Sequence, residues 1–173
     1  MGTEFVRVPY GSTVHGQDEI DAVVNVLKTT TQMSKNVREF EAKVAEKYQH
    51  DFGIMVNSGS SANLLALSSF NFKKGSEIIT PNLTFSTTVA PIYQLGLVPH
   101  FVGAEENKFV TDPNQIEKCI NKKTVALMIP NLLGNIADWK KIYKIAKKYK
   151  LKIIEDSADT IGYTVNKKKL GGY

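Results

Sequence analysis

Apolar and polar positions follow two different periods along the chain. From residue 52 onward, short runs rich in β-branched residues recur between segments in which apolar positions repeat every three or four residues. The first pattern is typical of strands and the second of helices. The predicted strands are residues 52–56, 76–80, 97–102, 124–129 and 151–155, and the predicted helices between them are residues 61–70, 84–95, 112–120 and 137–149.

This alternation predicts an α/β fold. The strands are apolar on both faces, so helices must cover the sheet on each side, which gives a three-layer, mostly parallel arrangement. Functional groups are then expected beyond the carboxyl ends of the strands. Helix signals agree, because Asp112 followed by Pro113 predicts a helix start, and Gly75 and Gly96 are placed where helices should stop.

The N-terminal region has a different pattern. Residues 18–30 and 37–48 predict two amphipathic helices joined by a polar stretch. We interpret residues 1–51 as an N-terminal helical arm, and residues 52–173 as the α/β portion of the chain.

Composition narrows the class of protein. The chain has 173 residues, of which 42% are hydrophobic and 23% charged, enough apolar material for a core. It has no apolar run near the roughly 20 residues that span a bilayer, and its start lacks the features of a signal peptide. A cytoplasmic protein without a membrane partner is expected.

Charge, cysteine and histidine suggest no further chemistry. The net charge of +5 comes largely from lysines in residues 139–152 and 166–170, which fits a solvated helix face better than a nucleic-acid surface. Cys119 shares a predicted helix face with isoleucines and is interpreted as a structural thiol. The three histidines are far apart and lack the spacing of zinc ligands.

A turn of small hydroxyl residues is the first candidate site. Residues 57–61 (Asn-Ser-Gly-Ser-Ser) lie where a predicted strand ends and a helix begins. Free backbone N–H groups and the positive end of the helix dipole favour an anion there, and Ser60 and Ser61 can add hydroxyl donors. A plain N-cap is the alternative interpretation.

Two further candidates fall on the same side of the predicted sheet. Asp156 follows an apolar strand directly and needs a cation or a donor if it is partly buried, although it can also cap the next segment. Asp159, three residues later, can reach the same pocket. Phe85 stands near the start of a helix and is either a core aromatic or a flat cover for a ligand. A phosphate turn, an aromatic face and a carboxylate together suit pyridoxal 5′-phosphate (PLP), whose pyridine nitrogen the carboxylate would keep protonated.

Four ordered motifs, NSGSSANLLAL, TPNLTFSTTVAPIYQLGLVPHFV, MIPNLLGN and IIEDSADTIG, resemble the DegT/StrS family of nucleotide-sugar aminotransferases, which are fold type I PLP enzymes. The resemblance covers essentially the whole chain. It implies that Gly59, Ser60 and Ser61 bind the cofactor phosphate, that Phe85 stacks on the ring of PLP or pyridoxamine 5′-phosphate (PMP), and that Asp156 partners the pyridinium nitrogen. Asp159 is included among the cofactor-binding residues.

Within the family, NLLGN and EDSAD look more like the sugar 3-dehydratase branch, exemplified by GDP-4-keto-6-deoxymannose 3-dehydratase. The resemblance implies a nucleotide-linked 4-keto-6-deoxysugar substrate, glutamate as the amino donor, a role in lipopolysaccharide sugar synthesis and a homodimer. The alternative is a nucleotide-sugar aminotransferase. The dehydratase branch has a His where aminotransferases have the Schiff-base Lys.

The residue that distinguishes these two activities follows the acidic motif in the family and is expected beyond residue 173. Lys167, Lys168 and Lys169 are interpreted as a polar hairpin tip and not as that lysine. The chain is therefore expected to be the N-terminal portion of such an enzyme, paired with itself or with a C-terminal half. A flavodoxin-like phosphate-binding module and a non-catalytic remnant stay open as alternatives.

Overall fold

The computed structural model describes residues 6–9, 11–32, 34–165 and 168–171 of the chain. The helices are α1 (Gln17–Thr29), α2 (Lys35–Tyr48), α3 (Gly59–Ser68), α4 (Ser86–Gln94), α5 (Pro113–Cys119) and α6 (Trp139–Tyr149), with a short 3-10 helix at Leu132–Gly134. The strands are β1 (Glu77–Pro81), β2 (Val98–Val102), β3 (Thr124–Pro130), β4 (Lys152–Asp156), β5 (Thr164–Val165) and β6 (Lys168–Lys169).

The chain divides into two compact units, residues 1–38 and residues 39–173. The first unit contains α1, whose first turn is closed by the Gly16 N–H donating to Glu19 Oε2 at 2.7 Å. The two helices predicted in this region are confirmed as α1 and α2. The division into an arm of residues 1–51 and a domain portion of residues 52–173 stays a prediction, because compactness alone does not define a domain.

The second unit is built on a parallel sheet with strand order β2-β1-β3-β4. Adjacent residues of β1 face opposite sides, so that Ile78 and Ile79 belong to two separate apolar clusters. Ile78 packs with Leu67 of α3 and Ile92 of α4. The cluster around Ile79 instead includes residues of α5 and α6. The predicted three-layer α/β arrangement is confirmed.

The strand order indicates where on the sheet a ligand site is expected. From β1 the chain goes to β2 on one side, and β3 and β4 then lie on the other side of β1. A reversal of this kind opens a crevice at the carboxyl ends of the strands, where α/β proteins bind ligands. Asp156 is the last residue of β4 and lies at this end.

The strand predicted at residues 52–56 is wrong, because the structure gives these residues no strand pairing. Gly53 instead lies against α2, where an added Cβ would come within 2.5 Å of the Glu41 carbonyl oxygen. The Met55 N–H donates to Glu41 Oε1 at 2.7 Å. Phe52 and Ile54 are 87% and 85% exposed. An apolar run becomes a strand only when a neighbouring strand accepts its backbone hydrogen bonds, and a sequence pattern does not reveal that neighbour.

Most local predictions in the second unit are confirmed. Asp112 caps α5 by accepting from the Asn114 N–H at 2.8 Å, and Pro113 is the first helical residue. Gly96 follows α4 with a φ of +70°, whereas Gly75, predicted to end a helix, lies in the turn before β1 and well after α3 ends. The φ of Gly75 is +81°, a left-handed backbone conformation that glycine adopts without strain.

The structure also bears on the predictions made for the lysine-rich segments and for Cys119. In α6 the apolar side chains Trp139, Ile142 and Ile145 are buried while the lysines are exposed, which confirms the predicted amphipathic pattern. Cys119 is half-buried against the core. Lys168–Lys169 form β6 of a small hairpin, and the tip predicted to include Lys167 lies outside the described residues. Within the described ranges, no helix has the length and apolarity needed to cross a membrane.

Candidate functional site

The N-terminus of α3 is exposed, and its first backbone N–H groups have no acceptor within the helix. Ser58 is the N-cap and accepts from the Ser61 N–H at 3.2 Å. Its carbonyl accepts from the Ala62 N–H, so the N–H groups of Gly59 and Ser60 are left without an intrahelical partner. Gly59 and Ser60 are exposed, and a Cβ added at Gly59 would meet nothing within 4 Å. The cap explains Ser58 but not the open glycine and hydroxyl that follow it.

Asp156 lies in a cluster that joins three elements. Its Oδ2 accepts from Asn63 Nδ2 of α3 at 2.8 Å and from Thr88 Oγ1 of α4 at 2.9 Å. Among the described residues, its Oδ1 accepts one long hydrogen bond, 3.3 Å, from the Ala158 N–H. Both donors are buried, at 8% exposure for Asn63 and 0% for Thr88. The carboxylate at the end of β4 is therefore fixed by neutral donors from two helices.

Asn63 connects this cluster to the exposed turn. It is the fourth residue after Gly59 on α3, which places the two about 6 Å apart along the helix axis. The residue that contacts the Asp156 carboxylate therefore lies about one helical turn from the exposed N-terminus of α3. Sequence reasoning missed Asn63. The available signal was a polar amide within an otherwise apolar helix, since a buried amide requires hydrogen-bond partners.

Phe85 is the N-cap residue of α4 and is 60% exposed. Its carbonyl accepts from the N–H of Thr88 at 3.0 Å, and Thr88 in turn donates through its side chain to Asp156. The interpretation of Phe85 as a core aromatic is therefore wrong. Its ring is open to solvent on the same helical turn that contacts the carboxylate.

Asp159 has a structural contact of its own. Its Oδ2 accepts from the Leu133 N–H at 2.8 Å, in the turn that follows β3. Leu133 has a φ of +54° and Gly134 a φ of +79°, so this turn contains two left-handed residues in succession. Among the described residues, no hydrogen bond joins Asp159 to the Asp156 cluster. Its role with a cofactor stays a prediction.

Asn131 links the ends of β3 and β4. Its backbone N–H donates to the Asp156 carbonyl at 2.9 Å. Its Nδ2 donates to Glu155 Oε1 and to Ser157 Oγ, both at 3.1 Å. Its Oδ1 accepts from the Ala137 N–H, at 3.1 Å. Asn131 occurs in the quoted motif MIPNLLGN, but sequence reasoning gave it no role. Its hydrogen bonds hold the backbone that carries Asp156.

Glu155 is a second carboxyl group with a different environment. Burial raises the pKa of Glu155, and hydrogen bonds from Ser157 and Asn131 to Oε1 oppose this shift. Its Oε2 is buried and has no hydrogen-bond partner among the described residues. The pKa of Tyr48 is raised as well, first by burial and then by the negative charge of Glu155. Glu155 is thus a half-buried acid with one buried oxygen that lacks a hydrogen-bond partner among the described residues, next to Asp156 in the sequence.

These features fit a phosphorylated aromatic cofactor. Two unpartnered N–H groups and an exposed hydroxyl suit a phosphate, and a carboxylate oxygen with one long hydrogen bond can accept from a ring nitrogen. An exposed phenyl ring on the neighbouring helix can lie on an aromatic plane. The role of each residue, including Ser61, whose N–H already serves the cap, stays a prediction.

Comparison with known families decides what kind of protein this is. Residues 14–173 match the model of the DegT/DnrJ/EryC1/StrS aminotransferase family. The chain belongs to this family. The DegT/DnrJ/EryC1/StrS assignment confirms the resemblance drawn from the four motifs, over most of the chain.

Two curated family relatives are sugar 3-dehydratases. GDP-4-keto-6-deoxy-D-mannose 3-dehydratase of Yersinia pseudotuberculosis is 31% identical over 175 residues, covering 97% of this chain and 44% of that protein. dTDP-4-dehydro-2,6-dideoxy-D-glucose 3-dehydratase of Saccharopolyspora spinosa is 35% identical over 173 residues, covering 95% and 37% respectively. The chain thus spans less than half the length of these relatives.

A solved structure of the DegT/DnrJ/EryC1/StrS group has the same fold. The crystal structure of GDP-4-keto-6-deoxymannose-3-dehydratase with a trapped PLP-glutamate geminal diamine superposes with a TM-score of 0.88 at 31% identity. It covers 94% of this chain, and this chain covers 44% of it. The shared fold confirms the predicted α/β class, and the assignment of residues 52–173 to part of a larger domain stays a prediction.

Proposed function

We propose that this chain is the N-terminal part of a PLP- or PMP-dependent enzyme that acts on a nucleotide-linked 4-keto-6-deoxysugar. The observation that carries the proposal is the 2.8 Å hydrogen bond from Asn63 to Asp156. It ties the Asp156 carboxylate to Asn63, the residue one turn into α3 from that helix's exposed N-terminus. An anion site and a carboxylate held by the same short helix suit the two ends of one small phosphorylated ring.

Each residue has one role in this proposal. The N–H groups of Gly59 and Ser60, with the hydroxyls of Ser60 and Ser61, would hold the phosphate. Asp156 would accept a hydrogen bond from the protonated ring nitrogen, and Phe85 would cover one face of the ring. When bound, the protonated pyridine ring withdraws electrons from the carbon of an attached substrate. The chain's own contribution is to bind the ring, to orient it and to keep its nitrogen protonated.

The two relatives favour the 3-dehydratase branch over amino transfer. Both are 3-dehydratases of nucleotide-linked keto-deoxysugars, with 31% and 35% identity to this chain. The motifs NLLGN and EDSAD favour the same branch. Amino transfer to a nucleotide sugar is the second candidate, and the family's aminotransferase members support it. Glutamate suits both activities as amino donor, since it is trapped with PLP in the related dehydratase structure.

The completed enzyme would need more protein than this chain. The proposal includes a Lys or His from a C-terminal portion, which selects amino transfer or dehydration, and a second subunit as partner. A role in making sugars for surface polysaccharides such as lipopolysaccharide follows from the substrate class. A cytoplasmic location is part of the same proposal.

A binding titration with the purified chain tests the cofactor site. PMP is the better first probe because it has no aldehyde and cannot react with surface lysines. We expect saturable PMP binding that weakens modestly in Ser60→Ala, by about 1 kcal/mol for one lost hydrogen bond, and strongly in Asp156→Ala. Ser68→Ala, at the exposed far end of α3, is the matched control and should bind like the wild type.

Three results would contradict the proposal. Binding that is equal in all four proteins would place the ligand elsewhere on the chain. Binding of inorganic phosphate with no preference for PMP would favour the phosphate-binding module instead. No binding of either ligand would favour a non-catalytic remnant.

A further inference from the structure

We propose that Asn63 and Thr88 are positioning residues that hold one oxygen of Asp156 and thereby assign the other oxygen to the ring nitrogen of the cofactor. The inference rests on the proposed function, because it concerns the carboxylate that would contact the ring. It adds two residues, Asn63 of α3 and Thr88 of α4. Neither residue is among the proposed cofactor contacts.

The two oxygens of Asp156 have unequal environments. Oδ2 accepts two short hydrogen bonds, 2.8 Å from Asn63 and 2.9 Å from Thr88. A carboxylate oxygen has two lone pairs, so these donors saturate Oδ2. Oδ1 receives one hydrogen bond at 3.3 Å, from the Ala158 N–H, which is near the limit for such a contact. Oδ1 is therefore the oxygen that retains accepting capacity.

The donors are fixed independently of any ligand. Asn63 Nδ2 also donates to the Thr87 carbonyl at 3.3 Å, so the amide NH₂ group faces two oxygens. The flipped amide would place its oxygen against both acceptors, which excludes that orientation. Asn63 and Thr88 are buried and come from helices that pack on the same side of the sheet. Rotation of the Asp156 carboxylate would break both hydrogen bonds at once.

The chemistry of the donors matters as much as their geometry. An amide and a hydroxyl are neutral, so they satisfy one carboxylate oxygen without cancelling the negative charge. A lysine or arginine in their place would form an ion pair that competes with a protonated ring nitrogen. The cluster thus holds a charged acceptor at the end of β4 and supplies no competing cation.

A comparison of two ligands separates positioning from a general structural role. The probes are PMP and its 1-deaza analogue, in which a C–H group replaces the ring nitrogen. Only PMP can donate to Oδ1, so the ratio of the two dissociation constants reports that contact. Thr88→Val keeps the shape of the side chain and removes its donor, and Asn63→Leu does the same for the amide. Thr88→Ser restores the hydroxyl.

We expect the wild-type chain to prefer PMP by about tenfold or more, a ratio that corresponds to about 1.4 kcal/mol. In Thr88→Val and Asn63→Leu, PMP affinity should fall by about tenfold while the affinity for the deaza analogue is unchanged. Thr88→Ser should recover the wild-type ratio. Thr87→Val is the matched control, because Thr87 contributes only its backbone carbonyl to the cluster, and its ratio should not change.

Three results overturn the inference, and they differ in what else they affect. If both positioning variants bind PMP and the deaza analogue with wild-type affinities, the inference is wrong and the proposed function stands. If both ligands weaken equally in these variants, Asn63 and Thr88 have only a structural role. If the wild-type chain binds neither ligand, the proposed function fails and the inference fails with it.

Discussion

The carboxamide oxygen of Asn131 accepts a hydrogen bond of 2.9 Å from the indole nitrogen of Trp139, with both side chains buried. The same side chain donates to Glu155 and Ser157 at the end of β4. One amide thereby ties the first residue of α6 to the strand that carries Asp156. Buried networks of this kind are costly to break, because each lost partner leaves a polar group unsatisfied.

Replacement of this amide should destabilise the fold. We expect Asn131→Ala to lower the free energy of unfolding by about 3 kcal/mol, since Trp139 Nε1 and the Ala137 N–H lose their acceptor. Urea unfolding at constant temperature measures the difference. Asn135→Ala is the comparator: Asn135 is half-buried and its side chain makes one hydrogen bond, to the Leu132 carbonyl, so about 1 kcal/mol is expected. Equal losses in the two variants would show that the network around Asn131 has no special weight.

Glu155 should make stability depend on pH. Burial raises the pKa of Glu155 above its ordinary value of 4.5, so the folded chain binds this proton more tightly than the unfolded chain. Its contribution to stability is present in full below pH 4.5 and is lost as the pH rises through the raised folded pKa. The Gln side chain in Glu155→Gln does not titrate. The free energy of unfolding of this variant, relative to that of the wild type, should therefore rise with pH and then level off.

Urea unfolding of the wild type and of Glu155→Gln, at pH 4.5 and at a series of higher pH values, tests whether the difference in their free energies of unfolding grows with pH. Ser157→Ala provides a second check, because the Ser157 hydroxyl donates to Glu155 and lowers its pKa. Without that donor, the loss of stability should extend to higher pH. A difference between Glu155→Gln and the wild type that is independent of pH would contradict the assignment.

Phe85 should matter for binding and not for folding. Its ring is 60% exposed, so Phe85→Ala should change the free energy of unfolding by no more than about 0.5 kcal/mol. If the ring covers the cofactor, PMP affinity should fall by roughly tenfold, the scale of a lost aromatic stack. Tyr93→Ala removes a ring of 61% exposure from the same helix and should leave PMP binding unchanged. Equal effects on binding in both variants would exclude a specific role for Phe85.

The chain should associate with itself. Phe52 and Ile54 are exposed, and β4 pairs only with β3 among the described strands, which leaves a strand edge open. Sedimentation velocity over a range of concentrations should show dimers or larger species, and Ile54→Lys should shift the chain toward monomer. Val14→Lys, at an exposed apolar residue of the other unit, is the comparator and should shift it less. A monodisperse wild-type monomer that unfolds cooperatively would rule out this expectation.

Local signals in the sequence predicted most of the second unit. The alternation of apolar runs specified the strands β1 to β4, most clearly β1 and β3, which are buried almost along their whole length. The small residues at the start of α3 and the acid at the end of β4 were likewise visible as candidates, since caps and strand ends have short-range signatures.

The rest depended on contacts between distant residues. Nothing near Asn63 in the sequence indicates that it contacts Asp156, and Asn131 is one of two asparagines in its motif. Residues 52–56 have the composition of a strand, but strand formation requires a partner that composition does not reveal. The register between Asn63, Thr88 and Asp156 follows from helix packing against the sheet, which is a property of the assembled fold.

The Asp156 cluster also has a consequence for folding order. Its hydrogen bonds join residues separated by 93 and 68 positions along the chain, so they close two long loops. Closing such loops costs entropy that is recovered only when the surrounding contacts form, which makes the cluster a late feature of folding. A ligand that binds there would recognise only chains in which α3, α4 and the end of β4 have already come together. It would raise the temperature at which those chains unfold, so the supply of ligand would select for correctly folded protein.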